Sequence, residues 1–366
     1  MKRILVVLLI IGIACSSIFA NGKQESSTGS TQQKGVLDVA LLINGNLGDK
    51  SFHDSANRGM QMLKDQLGCK VKVVEVGYDD SKWEPALLDL CDEKHDIIIC
   101  GTWQMQALVQ KVAPEYPNQK IIVYDTSMDY ANDTKGAYKN IYSIEYKQND
   151  GSFLAGVLAA KMSKTGVIGF VGGMDNTVIL DFLLGYIQGA KAVNPNIKVA
   201  SSFVGNFSDS AKAKELTFAQ YQMGADVVFS CASNAGEGTL QASKDKGKLV
   251  IGVDSDQAML YKDSDPVLAN LIISSVLKRV DQSIFLAVQS ALKNELAWGT
   301  RVALGINEDC VGLADNEIYQ KNVPSDVRAI VTDYTAKIKN GEIKVDTAFG
   351  LTNDQINAKI DAVRPY

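Results

Sequence analysis

Histidine is nearly absent from this chain: its 366 residues contain only His53 and His95. A zinc site or a histidine-based triad would have to be built around one of these two, and His95, in E-K-H-D ahead of a strand, reads as a solvated turn residue. Cysteine pairs are lacking as well. Apart from Cys15 there are Cys69, Cys91, Cys100, Cys231 and Cys310, an odd number with no C-x-x-C spacing, which argues against a disulfide scaffold and against a metal site. Cys100 and Cys231 end apolar runs, where a free thiol behaves as a small hydrophobe. No basic run occurs and the formal net charge is −5, so nucleic acid is not an expected partner. Beyond the N-terminal leader, no segment is long and apolar enough to span a bilayer. Nothing in the spacing calls for a cofactor.

What the chain does have begins with an export signal. Lys2 and Arg3 precede an apolar stretch over residues 4–14, and small residues follow before a polar tract starts at Asn21. Cleavage after Ala20, in S-I-F-A, is the preferred reading of a signal peptide over residues 1–20. Lipid attachment at Cys15, as in a lipoprotein, competes with it. The lipobox G-I-A-C is imperfect, because Gly12 stands where a branched apolar residue is normal. Losing Lys2 and Arg3 takes the formal charge from −5 to −7. Residues 21–35, rich in Ser, Thr, Gly and Gln, read as a flexible tether. The protein is expected to be periplasmic or anchored to the outer face of the cytoplasmic membrane.

About 330 residues follow the tether, more than one ordinary core, so two domains are expected. Strand-like apolar runs recur at residues 36–43, 70–76, 96–100, 120–124, 166–171, 198–204, 227–231 and 249–253. Helical patterns fall between them, at residues 56–67, 83–93, 104–116, 151–162, 180–193, 211–223 and 236–246. This alternation predicts an α/β chain with parallel sheets wound by right-handed crossovers. It occurs twice, four strands each time, with a change of character near residues 142–148 and again near Asp256. A strand over residues 267–275, a helix over 278–297, a strand over 302–306 and a helix over 327–339 complete the prediction. The expected lobes are residues 36–146 with 276–298, and residues 147–275 with 299–366.

In parallel sheets ligands bind in the loops leaving the carboxyl ends of strands. The first such loop, N-G-N-L-G-D-K-S-F-H from Asn44, places one bare aromatic, Phe52, among polar residues. Either Phe52 staples the loop to the next helix or it grips a ligand. Phe207 stands alike in G-N-F-S-D, so the two could be the plates of an aromatic sandwich, although Phe207 could equally cover a domain edge. Asp125, Asp254 and Asp256 directly follow apolar strands, where a carboxylate can accept two hydrogen bonds from a sugar diol or a ring N–H. Such a charge-assisted bond contributes roughly 1.5 to 3 kcal/mol, and stacking a base on an aromatic roughly 1 to 3. Helix capping is the competing role for these aspartates, and the favoured one for Asp175 and Asp209. Trp103, Met174 and Ser233 lie in further strand-end loops, with Trp103 equally readable as core.

The segments G-D-K-S-F-H-D-S-A-N-R-G, N-D-G-S-F-L-A-G-V-L-A-A at Asn149, I-G-F-V-G-G-M and G-V-D-S-D-Q resemble those of the basic membrane protein family in order and spacing, across nearly the whole chain after the tether. That family comprises substrate-binding lipoproteins of ABC importers, among them purine nucleoside receptors of spirochaetes. The resemblance implies a type I periplasmic-binding-protein fold, two doubly wound parallel-sheet domains joined by hinge crossings and closing on ligand like a clamp. It further implies a non-enzymatic, monomeric receptor that passes a nucleoside to an ABC permease in the inner membrane. By the same resemblance Phe52 and Phe207 sandwich the base, Asp125 reads the base edge, and Asp254 holds ribose hydroxyls. Lys278 resembles a basic partner for the ribose or for that aspartate; the competing reading is a helix-start lysine pairing with Asp281. Asn44 departs from the nucleoside receptors, which carry Asp there, and Ser233 lies in S-N-A-G-E-G, which differs from the family's glycine-rich wording. A binder of sugars or another small polar ligand, and an exported nucleoside hydrolase, are the alternatives.

Overall fold

The computed structural model describes residues 36–365, so the signal peptide, the tether and Cys15 lie outside the described residues. The first half runs β1 (Asp38–Ile43), α1 (Phe52–Leu67), β2 (Lys70–Glu75), α2 (Trp83–Glu93), β3 (Ile97–Gly101), α3 (Gln106–Val112), β4 (Lys120–Tyr124) and β5 (Ile141–Tyr146). The second runs α4 (Gln148–Met162), β6 (Val167–Gly172), α5 (Thr177–Val193), β7 (Lys198–Phe203), α6 (Ser210–Gln222), β8 (Val227–Cys231), α7 (Gly236–Lys246) and β9 (Leu249–Asp254). Then follow α8 (Gln257–Tyr261), α9 (Pro266–Leu271), β10 (Ile272–Lys278), α10 (Val280–Leu292), β11 (Thr300–Leu304) and β12 (Val311–Leu313). Helices α11 (Glu317–Asn322), α12 (Ser325–Lys339) and α13 (Asn353–Asp361) close the chain.

Two sheets result, in the orders β11-β5-β4-β3-β1-β2 and β12-β10-β9-β8-β6-β7. Neighbours pair in parallel except β12, which runs antiparallel to β10. Central strands are buried on both faces, so their sequences read as unbroken apolar runs; Val39, Ala40, Leu41, Leu42 and Ile43 of β1 are all fully buried. Helices α1 and α10 cover one face of the first sheet through Ala56, Met60, Leu63, Val280 and Ile284, and α2 and α3 cover the other through Leu87, Leu90 and Val109. On the second sheet α4, α5, α12 and α13 share one core, with Leu158, Leu183, Val331 and Ile356. Among the described residues no helix is long and apolar enough to cross a membrane.

Several expectations are corrected. Residues 267–275 are not one strand: Asp265 caps a helix with Pro266 in its first turn, accepting from the Leu268 amide at 3.1 Å, and β10 begins only at Ile272. Lys278 therefore ends a strand instead of opening a helix. The division of the lobes also moves. β10, Lys278 included, belongs to the second sheet, whereas β11 pairs with β5 in the first, Thr300 opposite Tyr142. The reason lies in α10, which packs on α1 and so delivers β11 to the first sheet's edge. His95 is buried, with Nδ1 2.9 Å from Asp38 and Nε2 2.8 Å from Glu93.

The chain passes between the sheets three times, after β5, after β10 and after β11, and these crossings bond to one another. The Lys147 amide donates to the Leu304 carbonyl at 2.8 Å, and the Arg279 amide to the Cys310 carbonyl at 2.8 Å. Each sheet with its helices makes one lobe.

Candidate functional site

Between the carboxyl ends of the two sheets lies a cavity that opens to solvent. The first lobe lines it with Asn44, Phe52, His53, Tyr78, Trp103 and Asp125, the second with Asn176, Phe182, Phe207, Ser233, Asp254 and Lys278. Four lining residues at or just beyond strand ends have positive φ: Thr102 (φ 74°), Asp125 (φ 61°), Ser233 (φ 46°) and Asp254 (φ 65°). For residues with a Cβ this conformation is strained, and most of all for β-branched Thr102. It turns the chain sharply as it leaves each sheet, so that the side chains project over the strand ends.

Phe52 is 8% exposed, tilted against Tyr124 at 5.6 Å between ring centroids, so it both joins the first core and faces the cavity. Phe207 reaches the cavity from the second lobe by lying on Gly173, where a Cβ would sit 2.3 Å from its ring. Trp103, 37% exposed, stands at the rim.

Charge is concentrated on one buried ion pair across the lobes. Lys278 Nζ, at the end of β10, donates to Asp125 Oδ1 at the end of β4. The same ammonium lies 5.5 Å from the Phe52 ring centroid, 5.1 Å from Tyr146 and 5.3 Å from Phe182, an aromatic cage in which cation–π attraction replaces part of the lost hydration. Asp281 is not its partner; that carboxylate accepts from Arg58 Nε at 3.3 Å. Burial pushes the Asp125 carboxyl up against the pull of Lys278. Asp254, 6% exposed, accepts from the Ser51 hydroxyl at 2.5 Å, and its burial raises its pKa to about 7, with Lys278 opposing the rise.

The loop from Asn44 is wired by two carboxylates. Asp49 accepts from the amides of Ser51 (3.0 Å), His53 (3.0 Å) and Asp54 (3.1 Å), so it caps α1. Asp54 accepts from the amides of Gly48 (2.8 Å) and Lys50 (2.9 Å). Across the gap Ser233 Oγ donates to Asp49 at 2.9 Å, Ser255 Oγ to the Ser51 carbonyl at 3.0 Å, and Gln257 Nε2 to the Lys50 carbonyl at 3.3 Å. Ser233 thus reaches the cavity as an inter-lobe tie.

Of the residues expected at a site, Asn44, Phe52, Trp103, Asp125, Phe207, Ser233, Asp254 and Lys278 are brought together. Met174 and Asp256 are not. Asp256 instead caps α8 and accepts from Asn316 Nδ2 at 2.7 Å, while Met174 offers its carbonyl to the Asn176 amide. Asp209 caps α6, as its position suggests. At α5 the cap is Asn176 and not Asp175; its Oδ1 accepts from the Ile179 amide at 3.1 Å.

Sequence reasoning missed His53, Tyr78 and Asn176. All three line the cavity, and two of them keep a buried polar atom without a protein partner, His53 Nδ1 and Asn176 Nδ2. Asn44 does the same with Oδ1, its Nδ2 donating to Thr102 Oγ1 at 3.1 Å. Burial lowers the His53 pKa, against the nearby Asp49 and Asp54 charges, and so favours the neutral ring. The arrangement can therefore hold a flat ring between aromatics, satisfy several polar edges and accept hydroxyls at a carboxylate. Among the described residues no group of His, Cys, Asp and Glu is placed to hold a metal ion, and the five cysteines are free and buried.

Comparison with known proteins agrees with this architecture. Residues 36–348 match the family model Bmp, described as ABC transporter substrate-binding protein PnrA-like. The CD4+ T-cell-stimulating antigen of Listeria monocytogenes is 30% identical over 365 residues, covering 91% of this chain and 97% of the relative. Basic membrane protein D of Borreliella burgdorferi is 30% identical over 348 residues, covering 94% and 95%. Among solved structures, an ABC transporter solute-binding protein of Aeropyrum pernix superposes with a TM-score of 0.76 at 25% identity, covering 89% of this chain and 99% of its own. A solute-binding protein of Conexibacter woesei shares the type I periplasmic binding fold at a TM-score of 0.68 and 18% identity, covering 86% and 100%. The two doubly wound lobes and the matched residues together make this chain a member of the Bmp family of PnrA-like ABC-transporter substrate-binding proteins.

Proposed function

We propose that the protein is an exported, non-enzymatic receptor that captures a nucleoside, a purine nucleoside first among them, and delivers it to an ABC permease. The observation that carries this reading is the pair of rings, Phe52 and Phe207, offered from opposite lobes to one cavity whose walls hold Asp125, Lys278 and Asp254. A base stacks between the rings, Asp125 reads its polar edge with Lys278 balancing the charge, and Asp254 accepts ribose hydroxyls. Asn44 offers an uncharged acceptor where the nucleoside receptors it resembles carry a carboxylate, so it distinguishes bases by hydrogen-bond polarity without a net charge. The receptor acts as a monomer and needs no cofactor.

Calorimetry with adenosine, guanosine and inosine, on protein stripped of ligand by unfolding and refolding, tests this reading. Phe52→Ala and Phe207→Ala should each weaken the preferred nucleoside by roughly 5- to 100-fold, the equivalent of one lost stacking contact. Absence of binding by all three nucleosides ends the nucleoside reading, and equal affinity in both variants ends the sandwich. Aromatic faces beside carboxylates also suit a pyranose, so glucose belongs in the same titration. Incubation with inosine should release no hypoxanthine; release would make the protein a hydrolase.

A further inference from the structure

An open recess adjoins the cavity on the side of the hinge crossings and shares Trp103, Asp125 and Asn176 with it. Two buried polar atoms on its walls have no protein partner, and both are fixed in sense by what the rest of the side chain does. Asn176 Oδ1 is held as the cap of α5, which leaves Nδ2 as a donor. Gln148, 1% exposed, gives its Nε2 to the Asp181 carboxylate at 2.7 Å, which leaves Oε1 as an acceptor. A hydroxyl group suits either atom, because it can accept from Nδ2 or donate to Oε1. Leaving either atom buried and unpaired is costly, a standing incentive for a ligand to reach them. The recess is also flanked by two exposed rings, Trp103 and Phe349, the latter 44% exposed, flat faces of the kind that pack on sugar rings.

The charges decide against a phosphate. Of the lining carboxylates Asp125, Asp129 and Glu145, the first is paired with Lys278 and the last with Arg301, the single lining cation, at 3.5 Å, so Asp129 leaves the recess one negative charge in excess. An anionic substituent would enter a field of its own sign.

Resting on the nucleoside reading, we propose that the recess is a second subsite taking a neutral polyhydroxyl group, so that the preferred ligand is a nucleoside extended by a sugar unit and not a bare nucleoside or a nucleotide. Asn176 and Gln148 hold its hydroxyls, and Phe349 covers its face.

Three probes with one base separate the possibilities on ligand-stripped protein: adenosine, adenosine glucosylated on a ribose hydroxyl (the 2′, 3′ and 5′ isomers), and adenosine 5′-monophosphate. At least one glucosylated isomer should bind about fivefold or more tightly than adenosine, and the monophosphate about tenfold more weakly. The ratio of glucosylated to plain affinity should fall to about one in Phe349→Ala and in Asn176→Asp, which keeps the helix cap but removes the donor. Binding of adenosine with every glucosylated isomer equal or weaker overturns the subsite and leaves the nucleoside reading standing. So does a preference that survives both substitutions. Monophosphate binding as tight as the glucosylated form overturns the neutral class. If none of the probes binds, adenosine included, the nucleoside reading falls and this inference with it.

Discussion

At the residue scale buried Asp254 feels two other carboxylates, Asp49 and Asp125, against one buried ammonium, Lys278, an excess of negative charge that burial makes costly. The strain is felt at Asp254, whose carboxyl titrates near 7 in the folded protein against an ordinary 3.8. A raised acid pKa means that the folded state binds the proton more tightly, so the stability from this group is full below about pH 4 and is lost as pH rises through 7. Asp254→Asn removes that dependence. The expected result is that the stability difference between variant and parent moves in favour of the variant as pH rises from about 4 to 7, then levels. Urea unfolding across that range reads it directly, and a difference independent of pH would show that Asp254 stays ionised throughout. Cys231, also in the cavity wall, is an inert thiol, pushed up by burial.

At the element scale, the sequence segment N-D-G-S-F-L-A-G turns out to be packing and not ligand contact. It forms the first half of α4, which lies against α5 so closely that glycines replace side chains at the crossing. A Cβ on Gly156 would fall 2.0 Å from the Tyr186 carbonyl, and one on Gly189 of α5 would fall 1.9 Å from the Phe153 carbonyl. Backbone cannot yield as a side-chain tip does. Gly156→Ala should therefore destabilise the fold by about 1–3 kcal/mol despite the better helix propensity of alanine, measured as a lower urea midpoint with unchanged slope. A loss below about 0.5 kcal/mol would mean that the two helices can part without penalty. The same helix pair holds the segment after α12: Asn149 Nδ2 donates to the Asp346 carbonyl at 3.0 Å, and Asp181 receives both the Thr347 hydroxyl (2.6 Å) and the Ala348 amide (2.9 Å). The segment bearing Phe349 is thereby tied to the second lobe.

At the scale of the whole molecule the lobes are drawn together by ties that involve no ligand, chiefly Ser233 to Asp49, Ser51 to Asp254 and Gln257 to the Lys50 carbonyl. Each holds the lobes in the apposition that the structure shows. Replacing both hydroxyl donors, Ser51→Ala with Ser233→Ala, should open the ligand-free protein, seen as a larger radius of gyration in small-angle scattering, and should weaken ligand binding. Identical scattering from parent and variant would show that the hinge alone sets the angle. Much of the molecule was legible beforehand. Parallel sheets follow from unbroken apolar strands alternating with amphipathic helices, and the polar loops after those strands contain most of the cavity wall, because hydrophobic period and the succession of elements along the chain are local properties. Lys278 could not be assigned to Asp125, 153 residues away in sequence, nor could β11 be given to the first sheet or His53, Tyr78 and Asn176 to the cavity. Those facts depend on which strand ends face each other once the two sheets are apposed, and on what remains unpaired there. The sequence by itself determined the α/β cadence, the two-lobe plan and the family; only the tertiary structure decided which buried charges and unsatisfied polar atoms meet, since electrostatics and hydrogen bonding act across space and not along the chain.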